Sequence, residues 1–300
     1  MRPHVELVDE RDLIWHPAEF CHALGDARQR NLSYDEENGA ASLLVKFDSS
    51  WQRPAGIHAA QTEWYVLHGE VQIGDQLLSE GGYWCAPLGV LTPAITVAAG
   101  TQILLFREYG GWDFQLAEAQ SPAISRQLTL QIMHANAMDW YPIEDPAHGS
   151  PMDFERGGTP VPGLFIKLLY RDPLTGFYTR LIKAKPGWRE HPLAHHPVYE
   201  EAYCLAGEFE YNYGTMKPGQ YFFRPAGIRH GDFTAGQEDG CTWILRCDGD
   251  LVDWYTEQAQ VVMMGKPVNW GDGFPGTEAP AFIQPVRSRT VGQWQDPAYQ

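Results

Sequence analysis

The sequence predicts an all-β protein built from two tandem jelly-roll barrels. Three observations carry that expectation: the chain matches itself at a fixed offset, its apolar runs have strand lengths, and helical periodicity is nearly absent. Sliding the 300 residues by 138 lays Pro54–Thr92 on Pro192–His230 without a gap, and 11 of the 39 positions are identical. Pro54/Pro192, His58/His196, Glu63/Glu201, Tyr83/Tyr221 and Pro87/Pro225 are among them. Chance at ordinary composition would give about 6 %, so the match is an internal repeat.

Within the first repeat the runs SLLVKF, EWYVLHGEVQIG, ITVAA and TQILLF follow one another between Gly, Pro and Asp turn signals. The second repeat has FIKLLYR, FYTRLIKA, EAYCLAGEFEYNYG, QYFFRP and TWILRCD in the same order. The best short helix candidate is HALGDARQRN, His22–Asn31. Upstream, Trp15-His16-Pro17 resembles Trp140-Tyr141-Pro142 at an offset of 125, which leaves a 13-residue insertion for the Pro-, Gly- and acid-rich stretch Glu144–Pro160. The expected division is therefore one barrel over 1–122, a second over 123–255, and a tail over 256–300 that packs on a barrel or a partner subunit.

Composition narrows the function classes. With 22 basic and 38 acidic residues the formal charge is −16, which repels phosphate backbones and argues against nucleic-acid binding. No run approaches the roughly 18–20 apolar residues of a membrane span, and the first residues carry acids where a secretion signal has an apolar stretch. Five cysteines, odd in number and without C-x-x-C spacing, suit reduced thiols in the cytoplasm. No membrane partner is the expectation that follows; a possible homodimer is expected from the tail, and a small-molecule substrate from the family resemblance described below.

The chemistry gathers in the second repeat. His196, Glu200 and Gly207 are followed by Gly219, Pro225, Gly227 and His230. The even spacing of His196 and Glu200 puts both on one strand face. Imidazole nitrogen with carboxylate oxygen suits Fe(II), Mn(II), Ni(II), Co(II) or Zn(II) rather than thiolate-preferring metals. These spacings resemble the two cupin motifs in their order, so the chain is similar to a bicupin of the RmlC-like superfamily. The strings H-P-x-x-E-E and R-P-x-G-I-x-H-G resemble its ChrR-like branch. The resemblance implies cupin barrels and one divalent transition metal on His196, Glu200 and His230, with Fe(II) first among the candidates. It also implies either a dioxygenase cleaving a C–C bond of a small oxygenated molecule, or a metal- or ligand-sensing module. A cupin lyase or isomerase would use the same ligands. The sensing relatives carry a helical, zinc-binding domain that the sequence does not display, which favours the enzyme.

One position departs from the family. Most cupins have a further histidine where this chain has Ala194. His191 and His195 lie nearby; His195 points away from His196 on a regular strand, and a bulge could turn it inward as a fourth ligand. Arg224, matched by Ala86 in the first repeat, is the candidate substrate-binding cation for a carboxylate or enolate. Tyr203, Trp188 and Trp243 are candidate pocket or core aromatics, and Cys204 a small lining residue. In the first repeat Thr62 and Thr92 stand where Glu200 and His230 do. That barrel is expected to hold no metal, with His58 a hydrogen-bonded core or rim residue. Glu201, matched by Glu63, is expected to make a rim contact worth about 1 kcal/mol or less.

Overall fold

A computed structural model describes residues 2–108, 114–117, 128–143, 145, 162–249, 251, 254–255, 261–263 and 266–268. The described residues divide into two compact units, one formed by Arg2 and those of Asp12–Met138, the other by Pro3–Arg11 and those from Asp139 onward. Every strand pair within their sheets is antiparallel.

In the first unit, Gln131–His134, Gly82–Ala86, Thr62–His68, Gln102–Arg107, Ala41–Phe47, Ala27–Tyr34 and His16–Pro17 form one seven-stranded sheet in that order. Two smaller sheets complete it, centred on Ile95–Val97 and on Gly56–His58. Its core is aromatic. Trp64 and Trp84 lie 5.3 Å apart, Phe47 and Trp51 likewise 5.3 Å, and all four rings are fully buried. Such rings fill the inside of this barrel.

In the second unit, Val5–Asp9, Gln220–Arg224, Glu200–Gly207, Cys241–Cys247, Tyr178–Ala184, Leu164–Arg171 and Tyr141–Pro142 form the equivalent sheet. The other wall is Gly214–Met216, Phe209–Tyr211, His230–Ala235, Arg189–His195 and Trp254–Tyr255. The core between them includes Ala202 and Phe222, which take the repeat positions of Trp64 and Trp84. The repeat glycines explain themselves here: Gly69 and Gly207 both have positive φ, and a side chain on Gly207 would run into the Gly240 carbonyl.

The two seven-stranded sheets correspond strand for strand, including the outermost one. Each repeat begins with a short strand and a 3-10 turn, Val5–Asp9 with Glu10–Asp12 and Gln131–His134 with Ala135–Ala137. Val5–Asp9 pairs in the second unit and Gln131–His134 in the first, so the opening strands of the two repeats are exchanged. The unit boundary accordingly lies at Met138/Asp139 rather than near 122. Sequence similarity identifies which repeat a strand comes from and not which sheet it joins, hence the difference.

The expected helix over His22–Asn31 is instead a turn and a strand, with Ala27–Tyr34 paired to Ala41–Phe47. Gly25, at φ +107°, breaks any helix, and Leu24 bridges to Gln52. Arg28 then pairs outward with Asp48 while Ala27 and Asn31 are buried. Of the tail over 256–300, only the backbone hairpin Val261–Met263 with Lys266–Val268 lies within the described residues. The remainder, and the stretch Glu144–Pro160 apart from Asp145, lie outside them.

Candidate metal centre

Glu200 opens the central strand of the second unit and faces Arg224 directly across the sheet. His230 begins the strand on the other wall, directly opposite Ala194. His196 follows the end of Arg189–His195, and its carbonyl accepts the Gly227 N–H at 2.8 Å, which ties it to the Pro225–Ile228 turn. The fold thereby gathers His196, Glu200 and His230 into one buried cluster.

Their atoms form a tight triangle. His196 Nε2 and His230 Nε2 are 3.1 Å apart, His230 Nε2 and Glu200 Oε2 3.1 Å, and His196 Nε2 and Glu200 Oε2 3.9 Å. Adjacent ligands of one ion, at bond lengths of about 2.0–2.2 Å, stand roughly 3 Å apart when they meet the metal at right angles. Proton positions favour an ion as well. His230 Nδ1 lies 3.1 Å from the Ile228 carbonyl oxygen, which only accepts, so Nδ1 carries the proton. Burial, reinforced by Arg224, pulls the His230 pKa down to about 4. At neutral pH its Nε2 therefore presents a lone pair to the other ligands. Burial pushes the Glu200 carboxyl up, but the charge beside it, with Arg224 the permanent cation, holds the group well below the usual carboxylate range. A carboxylate and an imidazole lone pair thus face each other in a dry site, and the donor set fits a borderline divalent cation.

Behind Glu200 stands a second layer that sequence reading missed. Arg224 is 1 % exposed; it donates from Nη1 to Glu200 Oε2 at 2.9 Å, and from Nε and Nη2 to the two oxygens of Glu6 at 2.7 and 3.1 Å. Glu6 also accepts from Tyr211 at 2.6 Å and lies 2.8 Å from His4 Nε2. Burial alone would raise the Glu6 carboxyl, but Arg224 and His4 draw it below its ordinary value. The exchanged strand delivers this carboxylate: its register breaks between Val5 and Val8, where Leu7 takes φ +53°, and such a bulge re-aims side chains. A signal was present. At the offset of 125 Glu6 falls on Gln131, so the positions of Glu6, Glu200, Arg224 and His230 in the second unit are taken in the first unit by Gln131, Thr62, Ala86 and Thr92, and the chemistry is lost at all four together.

The structure distributes the other candidates differently. His195 is not one of the clustered three. The strand's irregularity falls between Glu190 and Leu193, upstream of it, and the ladder through Leu193, Ala194 and His195 is regular. Cross-strand partners share a face, so Ala194 rather than His195 stands beside His230. Arg224 sits against two carboxylates rather than projecting into open space. Trp188 packs with Ala184 and Ala235, and Trp243 against Phe209. The Tyr203 hydroxyl donates to Glu10. Cys204 is in the core with its Sγ 3.7 Å from that of Cys241. Glu201 is fully buried and bound by Tyr221 at 2.5 Å and by Arg246, so it is no rim residue. Its counterpart Glu63 is bound likewise by Tyr83 at 2.6 Å.

Fold and site together define a two-barrel protein of the cupin type with one cluster of metal-ligating geometry among its described residues. The chain belongs to the family described as a domain of unknown function, DUF4437, whose model matches residues 6–254. Among solved structures it is similar to a protein of Nostoc punctiforme PCC 73102 described as a candidate dioxygenase. The TM-score is 0.62 with 17 % identity, over 90 % of this chain and 82 % of that one. It also resembles a variant of oxalate decarboxylase from Bacillus subtilis, with a TM-score of 0.48 and 16 % identity over 84 % and 79 % of the two chains. No curated protein matches the sequence. No helix among the described residues is long and apolar enough to cross a membrane.

Proposed function

We propose that the second unit binds one divalent transition metal on His196, Glu200 and His230, Fe(II) first among candidates. The protein would then be a metal-dependent oxidoreductase of dioxygenase type acting on a small oxygenated organic molecule. The observation that carries this reading is the triangle of ligand atoms with the His230 proton held on the far nitrogen by Ile228. Two histidines and one carboxylate leave coordination positions open, as in the facial triads of non-haem iron oxygenases. A metal bound there supplies Lewis acidity and access to one-electron chemistry.

The protein's own residues have separable tasks. Arg224 orients Glu200 and is in turn held by Glu6, which makes it a positioning residue rather than the substrate cation. Ile228 fixes the His230 tautomer. Phe233, 5.8 Å from the His230 ring, and Tyr211 stacked on it at 5.7 Å give the site an apolar side that limits water. The resemblance to ChrR-like cupins, which include dioxygenases of diketones and hydroxyacetophenones, supports the same reaction class. The test is elemental analysis followed by O₂ uptake of the Fe(II)-loaded protein with β-diketones and hydroxyacetophenones. Uptake that depends on substrate and on His230 is expected. Tight metal binding without turnover on any of them would favour the sensing reading, and absence of metal binding would overturn both.

A further inference from the structure

The first unit has a cavity of about 700 Å³ whose lining includes Cys21, Ile57, His58, Leu88, Phe114 and Leu116. That volume is typical of small-molecule sites, and so is an apolar wall with few polar groups. Leu88 and Leu116 are 47 % and 38 % exposed, an apolar rim that a ligand would cover. The second observation lies just behind the wall. Arg53 is 4 % exposed, yet among the described residues no carboxylate comes within ion-pair reach of it. The single hydrogen bond of its side chain among those residues runs from Nη2 to His58 Nε2 at 3.0 Å, and its Nε has no partner there. Its face is against the Phe114 ring, 4.1 Å from the centroid. A buried guanidinium without a counter-ion is costly to hold.

His58 links this charge to the cavity. Burial, aided by Arg53 and Arg107, drives its pKa well below 6.5, so the ring is neutral at pH 7. Because Nε2 accepts from Arg53, the ring proton is on Nδ1, and among the described residues nothing accepts it. A donor polarised by a buried cation is therefore offered to a cavity that His58 itself lines.

We propose that this cavity is a binding site for a small carboxylate with a flat apolar body, independent of the metal centre. The carboxylate would accept the His58 Nδ1–H and compensate Arg53, while the body lies against Leu88, Phe114 and Leu116. The anion supplies both the missing counter-charge and the missing acceptor, which a neutral ligand cannot do.

Benzoate is the probe, titrated into the full-length protein by calorimetry, with benzyl alcohol as its neutral counterpart. Millimolar or tighter benzoate binding that raises the melting temperature is expected, with benzyl alcohol at least about tenfold weaker. Arg53→Met should weaken benzoate by about tenfold or more, since a charge-assisted contact is lost. Should that variant fail to fold, Leu116→Glu, which changes only the rim, should weaken it several-fold through like charge. Chelator treatment or His230→Ala must leave benzoate binding unchanged; loss in either would assign the anion to the second barrel and overturn the proposal. Equal affinities for benzoate and benzyl alcohol, or no benzoate binding at all, would overturn it as well.

Discussion

Glu6 holds the Nε–Nη2 edge of the Arg224 guanidinium with both carboxylate oxygens although the two residues stand 218 positions apart. The contact exists because the first strand of one repeat joins the sheet of the other. It places two carboxylates, Glu6 and Glu200, on one buried cation and so decides where Glu200 presents its oxygen to the two histidines. The strand exchange is thus part of the site as well as of the fold.

Glu6→Gln should expose that dependence. Removing one partner of a buried, hydrogen-bonded ion pair costs about 3 kcal/mol or more, because the remaining charge stays desolvated. Urea unfolding of the chelator-treated protein should register this loss. The double substitution with Arg224→Met should be less destabilised than the two single losses added together. Strict additivity would mean that Glu6 and Arg224 act independently and that the relay to Glu200 is wrong.

Metal content should be close to one ion per chain. His230→Ala should reduce occupancy by orders of magnitude, since three protein ligands become two. Thr62→Ala and Thr92→Ala, at the matching positions of the first repeat, should leave it unchanged. Mass spectrometry of the native protein before and after dialysis reads all four numbers, and two tightly held ions would refute the assignment to a single unit.

The residues of the triangle are legible in the sequence because each stands at the spacing of the two motifs within one repeat. Strand parity is not what joins His196 to Glu200, since His196 follows Arg189–His195 and Glu200 opens Glu200–Gly207 beyond a bend; alternation converts into faces only within one strand. The same logic places Glu201 on the opposite face from Glu200, where Tyr221 and Arg246 do hold it. Its depth is not legible, because parity gives direction and says nothing of how far a face lies from solvent. Glu6 is hidden for a different reason. A 5-residue acidic-apolar strand at the start of the chain carries no mark of the sheet it joins, and only the simultaneous loss of four residues between the units hints at it. Ala27–Tyr34 misleads in the opposite way: its polar run suits a helix surface, while Gly25 and pairing to Ala41–Phe47 impose a strand.

His58 should make the protein acid-sensitive. Its folded pKa is depressed below the 6.5 of an exposed histidine. Below pH 6.5 the unfolded chain takes up a proton that the folded chain refuses, so stability falls as pH falls through that range, by up to about 1.4 kcal/mol per pH unit. Above pH 6.5 this contribution is flat. Denaturant unfolding between pH 7 and 5 should show a shallower slope for His58→Gln than for the parent protein. Identical slopes would mean that His58 titrates normally.

Glu200 and Glu201, neighbours in sequence, should fail in opposite ways. Glu200→Ala removes the anionic ligand and leaves a dication to two neutral imidazoles, so metal should be lost. The fold should partly survive, because Arg224 still has Glu6. Glu201→Ala removes no ligand but takes a carboxylate away from Arg246, which is 1 % exposed, and from the Tyr221 hydroxyl that donates to it. That should destabilise by about 3 kcal/mol or more, well beyond a surface pair, with metal stoichiometry intact in the folded fraction. Chelator separates the two further. It should lower the melting temperature of Glu201→Ala as it does the parent's, and leave that of Glu200→Ala unmoved, because only a bound ion stabilises the folded state by mass action. Metal loss in Glu201→Ala equal to that in Glu200→Ala would place the ligand register one residue away from the one assigned here.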